Sequence, residues 1–598
     1  MRVFHLALAG LMVAGMLAAQ PVNKASAARG AAIYNGPKTK VKAWLWSDKY
    51  VYSPGENITL RGTAMTNDDR YPYTVFLYMT NNQTGAKTYF PGASSEPVDV
   101  MGHTRDQGFQ PMQLQDATGK VLIGSGGVGT VAMPSDPGMY TFTWELRDYT
   151  GTNVLKAEYM KVGVVTTQTQ LPNSIDSDMT LTNDTQWIIS GVVAVHAGAT
   201  LTIEPGTFLF GLPGSTPPSV LLITKDGMIN AEGTPSRPII MTSQEAFGER
   251  TRGGWGGLLL LGNAQVNTAA NTTGGNADHT FYIEGLQTNP DGLFGGTDNT
   301  SNCGTLAYVR VENAGSILSP NNETNSFTFG GCGTDTVAHH LQAINGLDDT
   351  FEWFGGTMYG HHFMGGLGAD DYLDYQLGFT GHLQFIVGYQ SPDQLGNRCI
   401  EADNSEYDAS ATPYSDPLVF NVTCVGPNTE GYDEGLTHGA LWRRSTHGSF
   451  NNIIFTRFIA GGYHLGSSSQ DTTAMEALNM GTIHLNGIMM WANGGDGAPE
   501  TLEGQLDGAG GLDVQFAQSQ YARDVFVSNP LLNSPLVYAD PDFSVDFGSQ
   551  AIRAGSVQPP DDGFFDTTAQ YIGAFGPNDN WADEEWLWFV RDQDMATQ

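Results

Sequence analysis

The residues of this chain best equipped for chemistry are acids that return in groups through the middle of the sequence. Asp348, Asp349 and Glu352 are followed by Asp370, Asp371 and Asp374, then by Glu401, Asp403, Glu406 and Asp408, then by Asp433 and Glu434. Taking one acid per group, Asp349, Asp371, Asp403 and Asp433 stand 22, 32 and 30 residues apart. Stacked on successive turns of a repetitive fold, such side chains would approach to about the 4.8 Å strand spacing, where like charges need a counter-charge. A hard divalent cation bound by several oxygens supplies one, so calcium is expected on Asp348, Asp349, Asp370, Asp371, Asp374 and Asp403. No segment has the ordered spacing of an EF-hand loop or a regular Gly-Asp nonapeptide. The simpler alternative is an acidic, solvated edge whose carboxylates form turns.

Basic groups crowd the same stretch: His361, His362, His382, Arg398, His438, Arg443, Arg444 and His447. Carboxylates beside Arg or His can hold an acidic glycan, and Asp371, Asp403, Arg398 and His438 are the expected glycan-binding set. The same groups could cleave such a polymer by proton abstraction, or hydrolyse it from two carboxylates at a fixed separation. His361 and His362, adjacent in a strand, should point to opposite faces, so at most one joins a given site. G-x-S-x-G, H-E-x-x-H and P-loop signatures are absent, and no catalytic residue is assigned. Gly124-Ser-Gly-Gly-Val-Gly129 matches G-x-G-x-x-G, but Pro134 and Pro137 follow where a dinucleotide fold needs a helix, which leaves a flexible hairpin.

The elements that must position these groups are read from short apolar blocks. Leu201-Thr-Ile, Leu221-Leu-Ile-Thr, Ile239-Ile-Met-Thr and Leu258-Leu-Leu-Leu start 20, 18 and 19 residues apart. A short fixed period signals an array whose units bury their apolar faces only against neighbours. The fold class expected is all-β: a right-handed parallel β-helix, a solenoid, over 181–545, preceded by a β-sandwich. Insertions at Asn267–Thr280 and Pro290–Asn302 break the rhythm and should protrude as loops on a binding face. Four cysteines allow three pairings, and Cys303–Cys332 and Cys399–Cys424, 29 and 25 residues apart, are favoured because each could join adjacent coils; the lack of any C-x-x-C pair argues against a zinc or redox site. Trp581, Trp586, Trp588 and Phe589 lie among acids and are expected to cap the last coil, within a C-terminal cap of 546–598.

Ahead of the helix, 41–165 alternates short strands with turns such as Pro54-Gly55 and Pro137-Gly138, and resembles the immunoglobulin-like or macroglobulin-type sandwiches used as spacers in exported bacterial proteins. Residues 166–180, polar and aperiodic, read as a linker. At the N-terminus Arg2, the apolar run Leu6–Ala19 and Ala25-Ser-Ala27 read as a cleaved signal peptide over 1–27. With 62 acids against 27 Lys and Arg, a formal charge of −35 argues against nucleic acid as a partner. No later segment is apolar enough to be a transmembrane span.

The wording of the repeat carries a family resemblance. Gly198-Ala-Thr-Leu-Thr-Ile-Glu-Pro-Gly-Thr, Asp226-Gly-Met-Ile-Asn-Ala-Glu-Gly-Thr, Gly253-Gly-Trp-Gly-Gly-Leu, Leu306-Ala-Tyr-Val-Arg-Val-Glu-Asn-Ala-Gly and Leu347-Asp-Asp-Thr-Phe-Glu-Trp-Phe-Gly-Gly resemble a family of secreted bacterial right-handed β-helix proteins that includes lipoproteins. The resemblance covers about 187–590 and implies fold rather than activity. The lipoprotein cysteine is missing, which implies free secretion or another attachment. The function expected is that of an exported extracellular or cell-surface protein, calcium-stabilised, with a structural, adhesive or glycan-binding role toward an extracellular glycan or surface component. The alternatives are a polysaccharide lyase or glycoside hydrolase acting on acidic glycans, and a self-associating filament or surface-layer subunit.

Overall fold

The computed structural model describes residues 2–6 and 41–589 with breaks, the longest at 67–73, 90–97, 100–128, 268–277 and 428–437. Most of the expected export segment, the glycine run from Gly124 and the acids Asp433 and Glu434 lie outside the described residues.

The chain is an all-β parallel β-helix with few helices. Each early coil contributes three strands, as in Thr200–Ile203, Phe208–Gly211 and Val220–Ile223, which stack in parallel register on Met228–Glu232, Ile239–Ser243 and Leu258–Leu261. This register corrects the period read from sequence. Leu201 pairs with Ile229, 28 residues on, Phe208 with Ile240 and Leu221 with Leu258, so the blocks spaced by about 19 belong to different faces of the coil. Alternation explains the confusion: every face needs inward apolar residues, so each supplies a similar block.

From Gly304 onward two of the three faces fuse into one long strand. Gly304–Glu312 pairs with Met228–Glu232 through its first half and with Ile239–Ser243 through its second. The corner between them shrinks to a single residue with left-handed backbone, Tyr308 at φ 50°. The later coils repeat the device with His340, His362, Phe385, Asn421, Asn452 and Gly487, all at φ between 54° and 67°. Asn and Gly take that conformation readily, whereas Tyr, His and Phe hold it only because the surrounding stack fixes them.

The segment 166–180, expected to be a linker, is the first coil: Thr167–Gln170, Ser174–Ile175 and Met179–Leu181 pair in parallel with the coil above. The described strands of 41–165 form mainly antiparallel sheets, with Val51–Tyr52 parallel to Val154–Val164, and Tyr50 and Met139 pack with Ile188, Phe208, Phe210 and Ile240 on the flank of the early coils. At the far end the short helices Thr473–Met480 and Leu512–Ala517 put Ala474, Ala477, Val514 and Phe516 into the core, closing the stack. The C-terminal aromatics therefore cap nothing at that end. Trp581, Trp586, Trp588 and Phe589 run back along the flank as a strap over Ile344, Met364 and Tyr389 of the middle coils. Both expected disulfides form, and all four sulfurs belong to buried residues. Cys399 leads into Ile400–Asp403 and Cys424 lies in the strand that follows, Leu418–Val425, which stacks on His382–Tyr389 of the coil before.

Candidate functional site

One outward rung runs the length of the third face: Ala194, Leu222, Leu259, Thr328, Glu352, Asp374, Glu401, Leu441 and His464 stand on successive coils. It starts apolar, turns acidic for three coils and ends on Leu441 and His464. The apolar part is covered by the loop carrying Phe281, Ile283, Leu286 and Phe294. The acidic part is the candidate site. Period-two alternation places it there, since Phe351, Trp353, Leu373, Tyr375, Ile400 and Ala402 fill the core from the same strands.

The acids that align are thus Glu352, Asp374 and Glu401, and not Asp349, Asp371 and Asp403 as expected from spacing. Asp349 and Asp371 sit at the preceding corner and make a second ladder. Asn325 Oδ1 accepts from the Asp349 N–H, Asp349 Oδ1 from the Asp371 N–H, and Asp371 Oδ1 from the Arg398 N–H. Asp371 is 3% exposed, so its role is to join coils, and the expectation that it contacts glycan is corrected. Asp403, 2% exposed, is held by Arg443 and Arg444, and is corrected in the same way. Arg398 is buried, pairs with Glu401 and lies 3.9 Å from Asp371. His438 stacks on His464 at 5.1 Å, and burial pushes its imidazole down to about 3, so it is a neutral group beside the column.

The members reachable from solvent are Asp348, Asp370, Asp374, Arg443 and Arg444, all partly exposed. Three overlapping triads, Asp348–Asp349–Asp370, Asp349–Glu352–Asp374 and Asp371–Asp374–Glu401, each bring one oxygen per residue within 4.8 Å of the others. Burial raises the carboxyls of Asp348, Asp349, Glu352, Asp371 and Asp374 well above the usual range, and neighbouring carboxylates push them further. Arg443, bound to both Glu401 and Asp403, is the main opposing charge at the lower end. One oxygen, Asp374 Oδ1, is buried with no hydrogen-bond donor.

Inserted segments add acids that spacing did not single out. Glu284, whose carboxyl burial and then Glu406 raise to about 7, acts on Asp348 and Glu352, and Glu323 acts on Asp348. The sequence signal for Glu284 was its place between the two insertions, on the face where loops were expected to gather; Glu323 lies beyond both and had none. Tyr407 joins this rim, 5.5 Å from Phe281.

A family model described as a pectate-lyase like beta helix domain matches residues 173–507. Among solved structures, a Yersinia enterocolitica family 28 exopolygalacturonase aligns with 76% of this chain and 87% of its own, at 10% identity and a TM-score of 0.19, too low to carry an argument. No curated protein matches the chain.

Proposed function

The chain belongs to the pectate-lyase-like β-helix family, and from that premise we propose that it binds and cleaves acidic polysaccharide on the face built around Glu352, Asp374 and Glu401. The observation that carries this reading is the packing of many carboxylates on one face, with guanidinium groups at one end and one buried, donorless oxygen at the centre. A scaffold or adhesin has no use for so costly an arrangement, since each buried carboxylate is disfavoured in its charged form. Family membership favours carbohydrate chemistry over the purely structural role.

The donor set is all oxygen and strongly anionic, which fits calcium. Asp349, Glu352, Asp374 and Glu401 would hold it, and it would supply the positive charge that lets uronate carboxylates approach an acidic face. The chain's own residues do the rest. Arg444, partly exposed beside Asp403, can take a substrate carboxylate in a forked, charge-assisted contact. A carboxyl that burial shifts toward its protonated form can donate to a leaving glycosidic oxygen, and ionised it can remove a proton. The disulfides fit an oxidising compartment, and among the described residues no helix is long and apolar enough to cross a membrane.

The test is incubation with a panel of uronic-acid polysaccharides, with and without calcium, following ultraviolet absorbance of unsaturated ends and release of reducing ends. Unsaturated ends identify elimination, and reducing ends without absorbance identify hydrolysis. Asp374→Asn and Arg444→Ala should each lower the rate about 100-fold or more. Absence of cleavage on every polymer in both conditions would overturn the proposal.

A further inference from the structure

A second cluster of potential ligands lies away from the acidic column, at the left-handed corner of two neighbouring coils. His339 and His340 on Val337–Ile344 stack over His361 and His362 on Tyr359–Gly366. The ring centroids are 5.2 Å apart for His339 and His361 and 4.4 Å for His340 and His362, with interplanar angles of 5° in both. Within each pair the rings meet edge on: Nδ1 to Nδ1 is 2.9 Å for His339–His340 and 2.7 Å for His361–His362.

Adjacent strand residues should diverge, and the backbone explains why these do not. His340 and His362 sit at φ 54° and 58°, and the strand register skips both, pairing His339 with His361 and Leu341 with Phe363. The bend brings both imidazoles of each pair to one side. The expectation that His361 and His362 cannot share a site is therefore wrong for a stated geometric reason.

Two nitrogens at such a distance can share a proton only if one ring offers a bare lone pair, so each pair presents an acceptor to its neighbour. Ring nitrogens of His340, His361 and His362 lie within 4.8 Å of one another, with no carboxylate among them. All four rings are partly exposed, rimmed by Tyr308, Trp581, Trp586 and Phe564, so an ion can enter and an apolar wall surrounds it. Burial lowers the imidazoles of His340, His361 and His362 to about 3, 4 and 2, which keeps them in the neutral form that ligates.

We propose that His340, His361 and His362, with His339 beside them, form a binding site for a borderline divalent transition-metal ion of the zinc class. Imidazole nitrogens select such ions, whereas calcium takes oxygen, so this site and the acidic column discriminate between cations. The proposal stands apart from the polysaccharide reading and needs no catalytic step.

The stack itself suggests non-disruptive variants. The next coil has Gln384 where His361 stands, and the coils beyond have Asn421 and Asn452 at the left-handed position of His340 and His362. Untagged full-length protein would be titrated with zinc chloride by calorimetry in millimolar calcium, and with cobalt chloride by visible absorption. The expected result is one high-affinity zinc per chain and a cobalt d–d spectrum. His340→Asn, His361→Gln and His362→Asn should each weaken zinc about tenfold or more, with unchanged metal-free melting, while His382→Gln binds as wild type. If one variant fails to fold, the other two and the cobalt spectrum still decide. No zinc binding by the wild type in calcium, or equal binding by the folded histidine variants, overturns the site.

Discussion

At the residue scale, Asp374 and Lys161 show how burial converts charge into a dependence on solution conditions. The Asp374 carboxyl is raised by burial and by Glu401 and Asp403, so its contribution is favourable below the ordinary 3.8 and is lost as pH rises through the folded value. At neutral pH without calcium, Asp374→Asn should therefore raise the melting temperature, by an amount equivalent to about 1–3 kcal/mol, and should reduce the stabilisation that calcium gives the wild type. Scanning calorimetry with and without a chelator reads both effects, and an unchanged calcium response would remove Asp374 from the cation site. Lys161 has the opposite chemistry. Its ammonium group is 1% exposed, donates to Thr141 and the Ser236 carbonyl, pairs with Glu585 and is pushed by burial from an ordinary 10.5 down to about 8. Between pH 8 and 10.5 the unfolded chain holds this proton more tightly, so stability should rise across that window, by up to about 3 kcal/mol. Lys161→Met should flatten the rise in denaturant midpoints taken at pH 7.5 and 9.5, and equal slopes in both proteins would refute the assignment.

At the scale of elements, the left-handed corners serve as a rail for the C-terminal strap. Asn452 donates to the Val557 carbonyl and accepts from its N–H, both at 2.7 Å, and Asn421 donates to the Tyr571 carbonyl at 2.8 Å. Gln384 accepts from the Asp566 N–H, and Gln342 exchanges two bonds with Trp588. Asn452→Ala should cost about 2–4 kcal/mol, because it strands two backbone groups and puts a poorly suited residue at φ 59°. Trp586, fully buried against Tyr308 and His340, should cost about 3–5 kcal/mol when cut to alanine. Proteolysis of the strap should accelerate in both variants; a strap as resistant as in the wild type would mean that other contacts hold it.

At the scale of the whole molecule, stability is the sum of neighbour-on-neighbour contacts along the stack, and the two bridges pin its irregular middle. Replacing Cys303 and Cys332 together by serine opens a loop with a sequence separation of 29, which should cost about 3–4 kcal/mol on loop entropy. Chemical denaturation of the double variant against oxidised wild type measures it, and an unchanged midpoint would show the closure contributes nothing.

How much of this was legible beforehand follows from what each scale depends on. Local alternation and turn chemistry determine strands and turns, so the Leu201 to Leu258 blocks by themselves specified a stacked all-β array, and the acids by themselves marked the region that carries the site. Register is not local. A coil's length depends on how many residues its corners consume, and a corner can be the four residues between Ile203 and Phe208 or a single left-handed His340, which is why the spacing of 19 misassigned the faces and why taking one acid per group aligned Asp349 with Asp371 and Asp403 in place of Glu352 with Asp374 and Glu401. The sequence alone determined that apolar residues would alternate with acids along these strands. Only the tertiary structure decided which acids face one another, that the histidine pairs turn to the same side and that the tryptophans strap the flank, because each of these depends on contacts between residues far apart in the chain.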